Sequence, residues 1–482
     1  MTAGARSGML RRALVVVLCG LVTLPALARP LGFDDARHLL NRTGFAANTP
    51  EINEFSQLTR EAAVARLLGW TDRAPTVPAP DWTRAPYEPP PRLALLSDAE
   101  RKEYQRRLIS EGRDLKAWWM AEMLTTTSPL TEKMVLFWHN HFTSSLRKVR
   151  MPLLIYRQHM TLRRHALGNF RELLQAVARD PAMLIYLDGA ASRKEQPNEN
   201  FARELMELFT LGEGRYSEQD VKEAARAFTG WSLNRDTGEF LFRRGLHDEG
   251  MKTVLGVTGP HDGAALLEIL LARPETAEFI VAKLWREFVA AEPDRGEVRR
   301  IAGIFRTSAY DIRTVLRELL TADAFYAPRY RGNLVKSPVD VVVGTLRQFR
   351  MAVADPLPYA LTAGRLGQDL FAPPNVKGWP GGDTWINATT LLSRRQFLEN
   401  VFRGSESGAQ PAMQMAAAAG NARSGPLSDL QFDDVAWFRQ FDGRSGDDWQ
   451  RVMFATRPVT VVTGRDVTAL RLAVQDAAYQ LK

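Results

Sequence analysis

Two histidines separated by one residue form the most unusual local cluster in the sequence. His139 and His141 lie in segment 137–142, near the end of a helix that is predicted to begin after Ser128. Successive helical residues are rotated by about 100°, so His141 joins the apolar face and His139 points to the opposite side. One metal ion could bind both rings only if the helix ends near Asn140. Without that break, His141 is predicted to be a hydrogen-bonded core histidine, and His139 a surface or inter-helix histidine.

Carboxylates on a second predicted helix, residues 198–212, form the next cluster. Glu199, Arg203 and Glu207 are four residues apart, which predicts an ion-pair ladder along one exposed stripe. A ladder of this kind is commonly a solvated face that adds little stability. Glu204 instead lies at the border of the buried stripe, where a side chain can be half-buried. If a carboxylate of this helix binds a metal or takes part in catalysis, Glu204 and Glu199 are the best placed.

The third cluster, residues 245–253, has the glycines and the lysine of a phosphate-binding loop but not their spacing. Such a loop needs its lysine directly after the second glycine, whereas Met251 precedes Lys252 here, and the neighbouring carboxylates would repel an anion. ATP and GTP binding are therefore excluded. His247 and Asp248 are better interpreted as a metal-binding pair, or as an imidazole oriented by its neighbour. The alternative is an ordinary capped turn.

These clusters suggest one polar site built from three separate segments. Histidine and carboxylate ligands suit Zn²⁺, Mn²⁺ or Fe²⁺, and a bound divalent ion could lower the pKa of a water molecule and make it a nucleophile. If the segments converge on a cleft, a metal-assisted hydrolase is favoured; if they are scattered among helix contacts, a binding or accessory protein is favoured. Glu204 and His247 are the candidate catalytic residues. The candidate metal ligands are His139, His141, Glu199, Glu204, His247 and Asp248.

The composition and the remaining motifs exclude several function classes. The chain has 482 residues, of which 45% are hydrophobic, and its net charge of +8 is not gathered into basic blocks. Nucleic-acid binding is therefore not expected. No His-Glu-x-x-His helix, dinucleotide-binding glycine motif or Gly-x-Ser-x-Gly elbow occurs in the sequence. A dispersed serine triad stays open, because such triads are defined by geometry.

The N-terminus has the pattern of a secretory signal. Arginines precede an apolar run at residues 13–24, and a small-residue motif ends at Ala28, so residues 1–28 are predicted to be removed. The single cysteine, Cys19, lies in that run, so the mature chain is predicted to lack disulfides, thiolate catalysis and cysteine-bound metals. No later apolar stretch is long enough to span a bilayer. The expected location is the periplasm or the extracellular space.

Helical spacing of apolar residues over most of the chain predicts a mainly α fold. We expect a large multi-helix domain with a small β-hairpin insertion at residues 231–256 and a small C-terminal α/β appendage, whose strand is residues 459–462. Prolines between residues 75 and 91 favour a strap on the surface of the main domain. The predicted divisions are 1–28 as the signal peptide, 29–74 as an N-terminal helical module, 75–92 as the proline-rich strap, 93–403 as the main helical domain, 404–426 as a flexible linker and 427–482 as a C-terminal module.

Six segments, taken in chain order, resemble one bacterial family. They are residues 37–42, residues 137–142, residues 198–212 with 224–231, residues 247–256, residues 337–339 and residues 378–380. The ordered set is far more specific than any single motif. It is similar to the exported family called domain of unknown function eighteen hundred (DUF1800). The resemblance covers about residues 34–402 and leaves the tail beyond residue 404 outside the match.

The resemblance implies a compartment and a partner rather than a reaction. Members of the family look exported, and their genes often sit beside those of a second exported family that is similar to sulfatases and alkaline phosphatases. By analogy, the chain is expected to be an exported accessory or binding protein that acts with a sulfatase-like exported partner. A metal-assisted hydrolase of an envelope polymer or ester stays open as the alternative.

Overall fold

The computed structural model of the protein describes residues 1–2, 29–69, 74–403, 430, 432–443 and 448–482. The fold is mainly α-helical with a small β insertion, which confirms the predicted fold class. The predicted signal peptide, apart from its first two residues, and the predicted linker at 404–426 lie outside the described residues. Among the helices that the structure describes, none has both the length and the apolar character needed to cross a bilayer.

Three helices form the N-terminal part of the fold: α1 (Gly32–Thr43), α2 (Thr49–Ser56) and α3 (Arg60–Gly69). Asn48 begins α2 with a capping box. Its side chain accepts a hydrogen bond from the Glu51 amide, and the Glu51 carboxylate accepts one from the Asn48 amide. Apolar side chains of all three helices join the same hydrophobic core as the later helices.

The proline-rich residues 74–92 run along α4 (Asp98–Thr125). The Val77 amide donates to a Glu122 carboxylate oxygen at 2.8 Å, and the Val77 carbonyl accepts from the Trp118 indole at 3.0 Å. Because proline lacks an amide hydrogen, this segment forms extended chain and short 3-10 turns instead of an α-helix. Hydrogen bonds with the buried Trp118 and Glu122 of α4 therefore hold this segment on the helix surface.

A run of helices between residues 129 and 403 builds the main body. Several begin with a proline, which is tolerated at the first helical position because the amide there has no intrahelical partner. In chain order the helices are α5 (Pro129–His141), α6 (Leu146–Val149), α7 (Pro152–His165), α8 (Phe170–Ala178), α9 (Pro181–Tyr186), α10 (Glu199–Glu204), α11 (Glu218–Ala227), α12 (Gly263–Ala272), α13 (Pro274–Phe288), α14 (Arg295–Thr307), α15 (Ile312–Thr321), α16 (Asp323–Tyr326), α17 (Pro338–Gln348), α18 (Leu357–Arg365) and α19 (Ala388–Arg403).

The β insertion consists of two antiparallel hairpins between α11 and α12. The strands β1 (Trp231–Leu233) and β2 (Phe240–Phe242) form the first hairpin, as predicted. The strands β3 (Lys252–Val254) and β4 (Val257–Gly259) form a second hairpin. The sequence did not reveal the second hairpin, because three-residue strands are too short for an alternating pattern to stand out.

The C-terminal segment is helical. Its helices are α20 (Asp434–Arg439), α21 (Asp448–Met453) and α22 (Val467–Val474). The strand predicted at residues 459–462 is wrong, and with it the α/β character of the appendage. Within the described ranges this stretch pairs with no strand, and the Thr460 amide donates to the Asp476 carboxylate at 2.6 Å. Its β-branched residues fit a strand pattern, but β structure also needs a neighbouring strand.

Side chains of the C-terminal segment pack against α17. The Trp437 indole donates to the Gln348 carbonyl at 3.2 Å, and the Tyr479 hydroxyl lies 3.0 Å from the Thr345 hydroxyl. The buried Arg394 of α19 donates to the Gln480 side chain at 3.1 Å. These contacts hold α17 in place, and the N-terminal end of α17 forms one wall of a cleft that also contacts α5 and α13.

Candidate functional site

A cleft of about 440 Å³ lies where α5, α13 and α17 meet the loop at residues 378–382. We call it the basic cleft. A cavity of about 390 Å³ beside α1 and α2 is lined mainly by apolar residues, and an open depression of about 850 Å³ borders His247. Charged side chains that line the basic cleft are Lys133, Lys283, Arg286, Glu287, Asp340, Lys377 and Lys482.

Next to the cleft, α10 continues into a π-helical turn, Leu205–Thr210. A π turn holds one more residue than an α turn, so amides after it bond to carbonyls one residue further back. The Leu211 amide accordingly bonds to the Met206 carbonyl, five residues back, at 2.8 Å. The helix ends with this turn, so the Leu208 and Phe209 carbonyls have no later helical amide to bond and accept hydrogen bonds from side chains.

His141 and Lys283 use these two carbonyls and bond to each other. His141 Nε2 lies 3.1 Å from the Phe209 carbonyl oxygen. That oxygen can only accept, so Nε2 carries the ring proton and Nδ1 is an acceptor. Lys283 Nζ donates to Nδ1 at 3.0 Å and to the Leu208 carbonyl at 3.2 Å. The geometry therefore fixes both the tautomer of His141 and the position of the amine.

Removal from water favours the neutral forms of both groups. Burial lowers the pKa of His141 well below its ordinary value, and the adjacent Lys283 lowers it further. Burial likewise lowers the pKa of Lys283 to about 7, and Arg286 on the same helix adds to this shift. The proton of Lys283 is therefore held less tightly than the proton of an exposed lysine.

Two other lysines of the cleft are neutralised by carboxylates. Asp340 accepts a hydrogen bond from Lys133 and another from Lys482 at 2.7 Å. Glu287 lies 3.9 Å from Lys133 Nζ and 3.8 Å from Lys482 Nζ. Burial raises the pKa of Asp340, but the two lysines outweigh burial and hold it far below its ordinary value. These four groups form a compact, balanced cluster at the back of the cleft.

The remaining three cations of the cleft have no carboxylate partner. In the part of the chain that the structure describes, no carboxylate oxygen lies within 4.0 Å of the charged nitrogens of Lys283, Arg286 or Lys377. Arg286 is exposed at the rim, and Lys283 is partly accessible. Unpaired cations around a concave surface raise the local concentration of anions. The arrangement is suited to binding an anionic group.

The loop that carries Trp379 closes over the C-terminal end of α5. Asn140 Oδ1 accepts a hydrogen bond from the Trp379 amide at 2.6 Å. Gly378 has a φ of +89°, and a Cβ there would lie 2.6 Å from the Asn140 carbonyl oxygen, so the approach requires glycine. The Trp379 indole lines the cleft, and its buried Nε1 has no hydrogen-bond partner among the described residues. Trp379 therefore has a buried donor without a partner among these residues.

We expect Gly378→Ala to destabilise the protein more than Gly381→Ala, a matched change in the same loop. Both glycines have positive φ, which costs about 1 kcal/mol for alanine. Only Gly378 contacts Asn140, whereas nothing lies within 4 Å of the Cβ position of Gly381. The clash should add about 1–3 kcal/mol, which urea unfolding of both variants will measure. Equal losses in the two variants would contradict the close packing of this loop on α5.

His139 faces away from the basic cleft, as the helical rotation predicts. Its Nε2 lies 3.3 Å from His159 Nδ1, and its ring packs on Trp119 at a centroid distance of 4.9 Å. The helix ends at His141. His139 is thus an inter-helix histidine in the core, and the two histidines of this segment do not share a site.

The π turn changes the predicted ladder of charges on α10. Glu199 pairs with Arg203 at 3.4 Å, but Arg203 continues to Glu218 at 2.7 Å and not to Glu207. Glu207 accepts from the Tyr216 hydroxyl at 2.7 Å instead. The ladder predicted through Glu207 is therefore wrong, because Arg203 pairs with Glu218 and Glu207 bonds to Tyr216.

Glu204 lies half-buried near the rim of the basic cleft. Burial raises its pKa, and the neighbouring Glu207 raises it further, whereas Lys377 lowers it. Lys377 lines the cleft. Glu204 is therefore a candidate metal ligand that lies close enough to a cleft lysine for the two charges to interact.

His247 and Asp248 lie at the open depression and form a hydrogen-bonded turn. Both Asp248 oxygens accept from Arg226, at 2.7 and 3.1 Å, and Oδ1 also accepts from the Gly250 amide at 2.8 Å. His247 Nδ1 donates to the Thr229 carbonyl at 2.9 Å. These contacts match the capped turn that the sequence left open as an alternative.

The six candidate ligands do not converge. His139 lies in the core beside His159, whereas His141 lines the basic cleft and Glu204 lies near its rim. Glu199 lies on the stripe of α10 that pairs with Arg203, and His247 and Asp248 lie at the open depression. Within the described ranges, no three histidine, cysteine, aspartate or glutamate side chains are grouped so that they could hold a metal ion.

The site residues predicted from the sequence do not include the lysines and the arginine of the basic cleft. Lys283 follows the buried Ile280 by three residues and precedes the buried Leu284, so it interrupts the apolar stripe of α13. That interruption is a signal that the sequence offers. For Lys377 and Arg286 the sequence offers no comparable signal, because surface cations are common.

Comparison with known families gives one match. The model of a family described as protein of unknown function (DUF1800) matches residues 38–481. The match extends through the C-terminal segment, so the expectation that the tail beyond residue 404 lies outside the family is wrong. Comparisons with curated proteins and with solved structures gave no match. Because the family match covers nearly the whole chain, the protein belongs to the DUF1800 family.

Proposed function

We propose that the protein is an exported binding protein that takes up an anionic group in the basic cleft, as an accessory to an exported partner. One observation carries this proposal. Lys283, Arg286 and Lys377 line one cleft, and no carboxylate of the described residues pairs with any of them. Elsewhere in the same cleft, Asp340 and Glu287 neutralise Lys133 and Lys482. The excess positive charge of the cleft is therefore carried by Lys283, Arg286 and Lys377.

The cleft groups suit an oxyanion such as a carboxylate, sulfate or phosphate. The planar guanidinium of Arg286 can donate two parallel hydrogen bonds to such a group, and Lys377 adds a mobile point charge.

The proposed partner agrees with this ligand class. Sulfatases and alkaline phosphatases act on sulfate and phosphate esters, which are anionic. An accessory protein that holds such an ester would present it to a partner of the kind that the family resemblance implies. The basic N-terminus followed by an apolar run supports export of the chain to the periplasm or the extracellular space. N-terminal sequencing of exported protein should begin near Arg29, and an intact Met1 in the membrane fraction would contradict cleavage.

Calorimetric titration with inorganic sulfate and inorganic phosphate tests the binding proposal. We expect saturable binding that weakens as NaCl is added. The double variant Arg286→Gln and Lys377→Gln should lose at least about ten-fold in affinity, since each charged hydrogen bond contributes about 1.5–3 kcal/mol. Arg84→Gln is the matched control, because Arg84 is exposed and paired with Asp81. Absence of binding to the wild type, or equal loss in the control, would overturn the proposal.

A further inference from the structure

Lys283 lies in an environment complementary to a free amine. Its two hydrogen-bond neighbours, His141 Nδ1 at 3.0 Å and the Leu208 carbonyl at 3.2 Å, are both acceptors. A neutral amine has two N–H bonds and one lone pair, so these neighbours use both hydrogens and leave the lone pair unoccupied. A charged ammonium would have a third N–H to satisfy, and no carboxylate of the described residues lies within 4.0 Å of Nζ.

No carboxylate of the described residues pairs with Lys283, because Glu287 and Asp340 of the same cleft contact Lys133 and Lys482 instead. On α13 the nearest charged neighbour is Arg286, a cation, and from α5 the facing group is the neutral ring of His141. The Phe279 ring lies 4.7 Å from Nζ on a third side. Desolvation beside a second cation is the usual way in which proteins turn a lysine into a nucleophile. The lowered pKa of Lys283, about 7, agrees with this geometry.

We propose that Lys283 is a nucleophilic amine that forms an imine with an aldehyde or ketone whose anionic group is held in the basic cleft. The proposal rests on the proposed function for the anion, but adds a covalent step and a second functional group on the ligand. The ligand class is a small carbonyl compound that also carries a carboxylate, sulfate or phosphate. Lys283 and Arg286 line the same cleft, so one small molecule can reach both.

The step balances without an oxidant or reductant. The Nζ lone pair adds to the carbonyl carbon and gives a carbinolamine. The two hydrogens of the amine then leave with the carbonyl oxygen as water, and a carbon–nitrogen double bond remains. Anchoring of the anionic group makes the attack effectively intramolecular, which accelerates it over attack by a surface lysine.

Reductive trapping with glyoxylate, which is both an aldehyde and a carboxylate, tests the proposal. The purified protein is incubated at pH 7 with glyoxylate and sodium cyanoborohydride, which reduces an imine to a stable secondary amine. We expect one carboxymethyl group per chain, mapped to Lys283 by peptide mass spectrometry. Modification of Lys283 should be at least about ten-fold faster than that of any surface lysine, because an ordinary lysine has a pKa of about 10.4 and is almost wholly protonated at pH 7.

Two variants and one competitor complete the test. Lys283→Arg should abolish the fast modification, whereas Lys148→Arg should not, because Lys148 is half-exposed and paired with Asp188. Inorganic sulfate should slow the modification by glyoxylate but not by propionaldehyde, which has no anionic group. Modification spread over surface lysines in the wild type would overturn the proposal even if Lys283→Arg does not fold. Sulfate binding without modification of Lys283 would overturn the imine step alone, and absence of sulfate binding would overturn the proposed function.

Discussion

Replacing Arg163 with methionine is expected to lower the free energy of unfolding by about 3–5 kcal/mol. Arg163 of α7 bonds to two carboxylates that are both fully buried, Glu132 of α5 and Glu122 of α4, the latter at 3.2 Å. Without the guanidinium these carboxylates would face each other in the core. An uncompensated buried charge costs far more than a lost surface contact.

The Trp119 indole also donates to Glu132, at 3.1 Å, so the network reaches the core aromatic rings. Urea unfolding at neutral pH measures the loss in Arg163→Met. Arg203→Met is the matched control, because Arg203 forms its ion pairs at the surface and should cost at most about 1 kcal/mol. A loss in Arg163→Met no larger than in the control would show that the buried carboxylates are neutral or hydrated without their arginine.

Replacing His139 with phenylalanine is expected to flatten the decline of stability in acid. Burial alone lowers the pKa of His139 to about 3, below its ordinary value of 6.5. As the pH falls through 6.5, the unfolded chain takes up a proton that the folded chain refuses. The stability due to the neutral ring is therefore present above pH 6.5 and is lost progressively towards pH 3.

The expected loss due to His139 is about 2–3 kcal/mol between about pH 7.5 and about pH 4.5, with a slope near 1.4 kcal/mol per pH unit at the acid end. Urea unfolding of wild type and His139→Phe at several pH values measures this difference. Phe305→Leu serves as the control, because that ring packs on Phe170 and Tyr310 and adds no histidine. Its curve should run parallel to that of the wild type. Parallel curves for His139→Phe as well would mean that the folded core already accommodates the charged ring.

The helical fold could be predicted from the sequence, because the residues that start, stop and pack a helix lie close together in the chain. Caps such as Asn48, prolines at first helical positions such as Pro129 and periodic apolar residues act within a few positions of one another. The strand predicted at residues 459–462 is wrong for the opposite reason. A strand depends on a partner elsewhere in the chain, which a local pattern does not reveal.

The candidate site could be predicted only in part. Helical rotation separates His139 from His141 correctly, because both lie on one regular helix. Glu207 bonds to Tyr216 and not to Arg203, and the sequence carries no local signal of the π turn or of that partner. The contact between His141 and Lys283 joins residues 142 positions apart in the chain. Residue spacing predicts which side chains are neighbours within one helix, but not which helices pack together. Contacts between distant segments are therefore visible only in the folded structure.

The π turn beside the basic cleft also makes the site sensitive to changes in chain length. A deletion of one codon within residues 205–210 would leave the number of residues that an ordinary α-helix needs, so the helix itself could persist. The Leu208 and Phe209 carbonyls would then be displaced, and Lys283 and His141 would lose the oxygens that orient them. A homologue with one in-frame deletion here could thus keep every side chain that lines the cleft and still lose the hydrogen bonds that position Lys283 and His141.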